Sequence, residues 1–175
     1  MGKKWGLLPR LKTHALMVLA LAFACPAHAA TTTPGSGQAT ILTPMALVNT
    51  ATLRFGSIIP GATAGTVTID PFTEARTTTG GATAYGGAIS AGKFTGLSDG
   101  TTHLKIDVPN GSITISRVGG GATMLVDNFA INGNKNNWVP GGTVYTFNVG
   151  ARLRVNANQL PGTYTGTYSV TVEYR

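Results

Sequence analysis

The segment Gly162-Thr-Tyr-Thr-Gly-Thr-Tyr-Ser-Val-Thr-Val-Glu-Tyr-Arg175 decides the fold class of this chain. Its apolar side chains stand at even positions and its polar side chains at odd positions. The apolar members are Tyr164, Tyr168, Val170, Val172 and Tyr174. Successive side chains of a strand point to opposite faces, so this alternation predicts one long strand over Thr163–Tyr174 with a single apolar face. Another part of the structure must cover that face.

Short runs rich in Thr, Val, Ile, Phe and Tyr continue upstream, separated by glycine clusters such as Gly119-Gly120-Gly121. Many short strands joined by turns are typical of an all-β sandwich or barrel, and no helical period of useful length follows Ala30. The other predicted strands are Ala39–Val48, Thr52–Ile59, Gly65–Ile69, Ala88–Leu97, His103–Val108, Ser112–Ser116, Met124–Asn132, Val144–Val149 and Ala151–Ala157.

Three local patterns add detail to this scheme. Asn110-Gly111 between two alternating runs predicts a hairpin with a two-residue type I′ turn. The low-complexity stretch Thr77–Thr83 predicts an exposed loop. In Met124–Asn132 the apolar residues fall on both faces, so the sequence does not decide which face of that strand is buried.

The first 29 residues have the three parts of a signal peptide. Lys3, Lys4, Arg10 and Lys12 form the basic region, Ala15–Ala24 is apolar, and Ala27-His28-Ala29 is a small-x-small cleavage site. The apolar run is shorter than the roughly 20 residues of a membrane span. The predicted organisation is a signal peptide over 1–29, a flexible tail over 30–38 and one domain over 39–175. The protein is therefore expected to be exported, to the periplasm, the cell surface or the medium.

The charge and the cysteine content bear on two further expectations, a nucleic-acid partner and disulfide bonds. The chain has a net charge of +7, but residues after Ala29 hold nine Lys and Arg against six Asp and Glu, which leaves +3. These cations are scattered from Arg54 to Arg175, whereas nucleic-acid binding requires a basic patch, so no nucleic-acid partner is expected. Cys25, the only cysteine, lies in the signal peptide, and the processed chain is expected to have no disulfide.

Catalytic residue types are sparse. His103 is the only histidine after Ala29, and its nearest serines, Ser98 and Ser112, lack the context of a nucleophile elbow. With one histidine and no cysteine after Ala29, the sequence offers no set of imidazole and thiolate ligands for a metal ion. The sequence therefore predicts no enzyme, no metal and no cofactor. Trp138 lies in a polar loop, where its indole either stacks on a sugar ring or packs over the edge of the sandwich.

The C-terminal segment resembles the last strand of subunits assembled by the bacterial chaperone–usher pathway. In those subunits an aromatic residue is penultimate and a glycine lies about fourteen residues from the end, as Tyr174 and Gly162 do here. The N-terminal stretch, with Ala39-Thr-Ile41 and Leu53-Arg-Phe55-Gly56-Ser-Ile58, is similar to the opening of spore-coat-U-like and archaic pilin subunits. The same FG-x-I and G-x-Y-x-G-x-Y-x-V-T-V-x-Y patterns resemble a family of small exported proteins of unknown function.

The resemblance implies an immunoglobulin-like, pilin-like sandwich of about 7–10 strands that lacks its final strand. It implies strand complementation, in which a periplasmic chaperone and then another copy or a related subunit fills the open groove, with an outer-membrane usher as a further partner. The chaperone-facing residues would be Gly162, Tyr164, Tyr168, Val170, Val172 and Tyr174. The donor segment would present Ala39, Ile41, Met45 and Leu47.

Two functions follow from these patterns. The first is a structural or adhesive cell-surface subunit; the second is a monomeric exported binding module that holds carbohydrate through Trp138. Ala39–Val48 is a donor strand in the first and is the domain's own first strand in the second.

The processed protein is expected to begin at Ala30 or Thr31, because cleavage after Ala29 fits the small-x-small rule. Intact-mass measurement of exported material checks this start. A chain that begins at an acylated Cys25 would contradict it and would place the protein on a membrane.

Overall fold

A computed structural model of the protein describes residues 38–42 and 44–175. The predicted signal peptide, Cys25 and most of the predicted tail lie outside these residues. The chain divides into two units, Met1–Ala39 and Thr40–Arg175, and the second is the subject below. Its described residues form twelve strands and no helix. The strands are β1 Ala46–Ala51, β2 Arg54–Phe55, β3 Ile58–Ile69, β4 Arg76–Ala84, β5 Ile89–Ser90, β6 Gly92–Leu97, β7 Leu104–Asp107, β8 Ile113–Arg117, β9 Thr123–Ile131, β10 Val144–Val155, β11 Tyr164–Thr165 and β12 Thr171–Tyr174.

The predicted all-β sandwich is confirmed. An eight-stranded sheet runs in the order β1-β6-β10-β9-β8-β11, and β3 joins β10 and carries β4 at its outer edge. Two small sheets, β12-β7 and β2-β5, complete the fold. All the pairings are antiparallel, so each strand presents alternate side chains to the interior.

The core lies between the large sheet and the small ones. Phe147 of β10 is fully buried, and so are Leu104 and Ile106 of β7. The Phe147 ring stacks on Phe94 with centroids 5.5 Å apart, and it also stacks with Tyr145 at 6.4 Å. This aromatic stack joins neighbouring strands of the large sheet at their inner face.

The Asn110-Gly111 hairpin prediction is wrong. A type I′ turn needs positive φ at both central residues, and neither Asn110 nor Gly111 has it. The flanking strands also do not pair with each other, because β7 pairs with β12 while β8 pairs with β9 and β11. Asn110 and Gly111 instead lie in a connection that passes from one layer of the sandwich to the other.

The predicted loop Thr77–Thr83 is also wrong, since these residues belong to β4. Threonines line its outer face and that of β3, where Thr66 and Thr79 form a cross-strand pair with their hydroxyl oxygens 2.7 Å apart. Uncharged Thr and Gly give no alternation of apolar and polar side chains, so the strand is invisible to a hydrophobic pattern.

The structure explains why the sequence could not assign one buried face to Met124–Asn132. Met124 and Val126 are buried before Asn128, and Phe129 and Ile131 are buried after it. Asn128 has a φ of 51°, and the pairing of β9 with β10 shifts register beside it. This bulge moves the buried side chains from even to odd positions within one strand.

Asp127, which directly precedes this bulge, is only 8% exposed and is held by two arginines of β10. Arg152 donates through Nε at 2.8 Å and through Nη2 at 3.2 Å, and Arg154 donates through Nε at 2.5 Å. The hydrogen bonds from Arg152, more than the other contacts, hold the pKa of Asp127 below its usual value. The cluster ties β9 to β10 on the outer face of the sheet.

Asp127→Asn is expected to lower the free energy of unfolding by about 1–2 kcal/mol at neutral pH, because it removes a charge-assisted acceptor from two partly exposed arginines. A depressed folded-state pKa stabilises the fold above the unfolded-state value of about 4, and this contribution is lost as pH falls through the folded-state pKa. Urea unfolding of both proteins between neutral and acidic pH measures it. Glu74→Gln in the partly exposed Lys93–Glu74 pair is the control and should change little. A constant difference between wild type and Asp127→Asn down to the lowest pH would contradict the assignment.

Candidate functional site

The C-terminal segment is two short strands, so the predicted single strand over Thr163–Tyr174 is wrong. Tyr164–Thr165 pairs with β8 in the large sheet, and Thr171–Tyr174 pairs with β7 in a small sheet. Gly166–Val170 between them belongs to no strand. The segment crosses from one layer to the other, and no single neighbour can pair with it over its whole length.

The alternation of side chains persists across this interruption. Tyr164, Tyr168, Val170, Val172 and Tyr174 are half-buried and pack against the core. Thr163, Thr165 and the other odd residues through Arg175 are exposed. Tyr174 also accepts a hydrogen bond from the backbone N–H of Asp99 at 2.9 Å. The apolar face of the sequence pattern is therefore present, on a chain that bends between two sheets.

Tyr164 fixes the start of the segment. Its hydroxyl donates to the Leu160 carbonyl oxygen at 2.6 Å and accepts from Nε2 of Gln159 at 2.7 Å. A tyrosine bound to a carbonyl a few residues upstream is typical of the tyrosine corner in immunoglobulin-like sandwiches. Gly162 precedes it with a φ of 150°, and a Cβ there would lie 2.6 Å from Nε of Arg117.

A cleft of about 790 Å³ opens between the first and last segments of the domain. One wall is Thr52–Ile58 and the other is Leu160–Gly166 with Tyr168. The floor is the inner face of the large sheet, formed by Ile113, Ile115, Met124, Val126, Phe129, Leu153 and Val155. Of the described residues that line the cleft, Arg54 alone is charged. The floor residues belong to the hydrophobic core, and Ile113 and Ile115 among them are only half-buried.

Arg76 holds the first wall of the cleft from the neighbouring strand β4. Its Nη1 donates to the carbonyl oxygens of Phe55 at 3.0 Å, Ser57 at 3.3 Å and Gly86 at 3.0 Å. Gly56, at the centre of this turn, has a φ of 75°, and a Cβ there would overlap the guanidinium. The glycine of the FG-x-I pattern is therefore required by a left-handed backbone and a close polar contact.

Tyr168 closes the inner end of the cleft and also lines a second depression, with Asn49, Leu53 and Phe94. Its ring lies against Phe129 at 5.2 Å and Phe94 at 6.2 Å. Its hydroxyl is buried against Gly92 and finds no hydrogen-bond partner among the described residues. Burial raises the pKa of Tyr168 to about 12.

The four predicted donor residues fall into two groups. Met45 and Leu47 pack against the domain's own core, and β1 pairs with β6 from Ala46 onward. Ala39 and Ile41 are exposed and belong to no strand, and Ile41 is 95% exposed. Only the second half of the predicted segment is therefore the domain's own first strand.

Trp138 is half-buried rather than displayed. Its indole lies over Gly133 and is tilted against Phe147 at 5.9 Å, and its backbone bridges to Leu104 of β7. A stacked sugar would need a free ring face, and the geometry here is that of a side chain packed over the sandwich edge. Its role as a ligand contact stays a prediction.

Other chemistry-bearing residues stand apart from the cleft. His103 Nδ1 lies 2.8 Å from Asn137 Oδ1. The described residues contain no group of three or more His, Cys, Asp and Glu side chains that could hold a metal ion. Within the same residues, no helix has the length and hydropathy to cross a membrane.

The fold and the cleft define an all-β sandwich domain whose first and last segments border an open apolar groove. The chain belongs to the family described as Domain of unknown function (DUF4402), whose model matches residues 45–174. No curated protein and no solved structure matches the chain. The matched region includes both walls of the cleft.

Tyr168→Phe is expected to raise the free energy of unfolding by about 1 kcal/mol, because it removes a buried hydroxyl without a hydrogen-bond partner. Tyr164→Phe deletes the same atom where it makes two hydrogen bonds and should lower the free energy of unfolding by about 0.5–1.5 kcal/mol. Urea midpoints of the two variants give the comparison. Equal losses in both variants would show that the Tyr168 hydroxyl has a partner.

Proposed function

We propose that this protein is a structural or adhesive cell-surface subunit of pilin type, assembled by β-strand complementation into the cleft. The observation that carries the proposal is the cleft itself. A sandwich normally covers the inner face of its sheet with its own strands, because exposed core side chains and unpaired strand edges favour aggregation. Here Ile113 and Ile115 on the floor are only half-buried, and no described strand of the chain lies between the two walls.

An extended segment is the occupant that suits this geometry. Gly166 and Tyr168 on one wall and Thr52–Leu53 on the other belong to no strand, so an incoming strand would find backbone beside it on both sides. Its alternate side chains would enter the apolar floor. Each large apolar side chain buried there contributes roughly 1.5–3 kcal/mol.

The donor would be the segment that precedes Pro44 in another copy or in a related subunit. Ala39 and Ile41 share one face of an extended chain, and both are exposed in the free subunit. Met45 and Leu47 pack in their own domain, which limits the donor to residues before Pro44. Pro44 has no backbone N–H and would end a donor ladder there.

The partners and the location follow from the resemblance to chaperone–usher subunits and from the predicted signal peptide. A periplasmic chaperone would fill the cleft after export, and an outer-membrane usher would exchange it for the donor of the next subunit. The assembled form would lie at the cell surface. Gly162, Tyr164, Tyr168, Val170, Val172 and Tyr174 would form the chaperone-facing segment of this proposal.

Deletion of residues 31–42 tests the proposal without removing β1. Wild-type processed protein should form concentration-dependent ladders that survive SDS without boiling, and the deletion should abolish them while leaving the melting temperature of the domain unchanged. Ile41→Asp should act like the deletion, because it places a charge on the inward face of the donor. The matched control is Thr40→Asp on the opposite face, which should keep the ladders.

Co-purification from the periplasm gives the second measurement. The deletion variant should still hold a chaperone, since its cleft is intact. If wild type and variants are all monomeric, partner-free and equally stable, the subunit assignment is wrong and the exported binding module replaces it.

A further inference from the structure

The chain contains two Asn-Gly dipeptides, Asn110-Gly111 and Asn132-Gly133, in different surroundings. In such a pair the backbone nitrogen of glycine can attack the side-chain carboxamide carbon of asparagine, because glycine has no Cβ to obstruct it. The attack forms a succinimide and expels ammonia. Water then opens the ring to aspartate or to isoaspartate, in which the backbone continues through the former side chain.

Asn110-Gly111 is open to this reaction. Both residues are exposed, and a Cβ at position 111 would meet nothing within 4 Å. The connection between β7 and β8 belongs to no ladder, and the Gly111 nitrogen donates to no acceptor among the described residues. The Gly111 nitrogen is therefore free to attack, and the chain around it can adopt the conformation that the succinimide ring requires.

A cation lies beside the reacting carboxamide. Lys135 Nζ is 3.4 Å from Oδ1 of Asn110. Negative charge develops on this oxygen when the glycine nitrogen adds to the carboxamide carbon, and a nearby ammonium stabilises that charge. Lys135 comes from the loop after β9. The fold, and not the sequence next to Asn110, therefore brings this cation to the site.

Asn132-Gly133 is constrained at the same atoms. Asn132 Oδ1 accepts from the backbone N–H of Asn148 at 2.8 Å, and its own N–H donates to the Asn148 oxygen at 3.2 Å. Gly133 lies under the indole of Trp138, which would overlap a Cβ there. The carboxamide is held away from the next peptide nitrogen, and the peptide itself cannot turn freely.

We propose that Asn110 is a site of spontaneous deamidation in the folded protein, with Lys135 as a promoting cation, and that Asn132 is protected. Hydrolysis replaces the neutral carboxamide by a carboxylate that faces the Lys135 ammonium. The isoaspartate product lengthens the backbone of the connection between the two layers. This inference is independent of the strand-complementation proposal, because residue 110 does not line the cleft.

Peptide mapping by mass spectrometry follows both sites in processed wild-type protein incubated in mildly alkaline buffer. Conversion at Asn110 should exceed conversion at Asn132 by at least tenfold, because Asn110 is exposed and the carboxamide of Asn132 is held by the Asn148 N–H. Lys135→Met should slow the Asn110 reaction several-fold and leave Asn132 unmodified. Asn110→Gln should abolish nearly all ammonia release.

The denatured chain in urea provides the internal control, since both dipeptides should then react at similar rates. Circular dichroism measured alongside shows that the incubated protein stays folded. Equal conversion of the two sites in folded protein, faster conversion at Asn132 or an unmodified Asn110 would each overturn the proposal. An unchanged Asn110 rate in Lys135→Met would overturn the role of the cation.

Discussion

The pairing of β10 on both of its edges is the constraint on which the rest of the structure depends. One edge of Val144–Val155 pairs with β6 over its first half and with β3 over its second half, while the other edge pairs with β9. Every other strand of the large sheet is attached to β10 through one of these three. Its inner face carries Tyr145, Phe147, Val149, Ala151, Leu153 and Val155, all buried. Phe147 of this strand is buried in the same core as Leu104 and Ile106 of β7, so apolar packing holds the two layers together.

Hydrophobic pattern predicted the fold class and most strands, and it failed where the pattern carries no information. The sequence divided β10 at Gly150, because glycine usually marks a break in a strand. In the structure Gly150 lies inside the strand, where a Cβ would contact Pro71 at 2.7 Å and the Ile69 oxygen. Strand β4 was missed because its Thr and Gly residues do not alternate in polarity. Packing between distant segments decides both the continuity of β10 and the presence of β4. A pattern read over a few neighbouring residues does not include such packing.

The candidate site was predicted in its composition but not in its shape. The even-numbered face of the last segment was visible as alternation, and it packs inward as expected. Its interruption at Gly166–Val170 was not visible, because it depends on which sheet edges remain available on each side of the sandwich. The cleft was also beyond the sequence, since its floor and walls come from residues between Thr52 and Tyr168. The separation of Met45 and Leu47 from Ile41 likewise depends on β6, which provides the pairing partner for β1.

The guanidinium of Arg76 has a consequence for the mechanics of the groove. It joins three carbonyl oxygens of the Phe55–Ser57 turn and of Gly86 to β4, a strand that lies outside the groove. The position of this wall is therefore set by directional polar contacts at its rear and only in part by apolar contact at its front. A wall anchored in this way keeps its position when the groove is empty, because these hydrogen bonds are made within the domain and do not depend on an occupant. The three hydrogen bonds share the single nitrogen Nη1, so truncation of the Arg76 side chain would remove all three contacts at once.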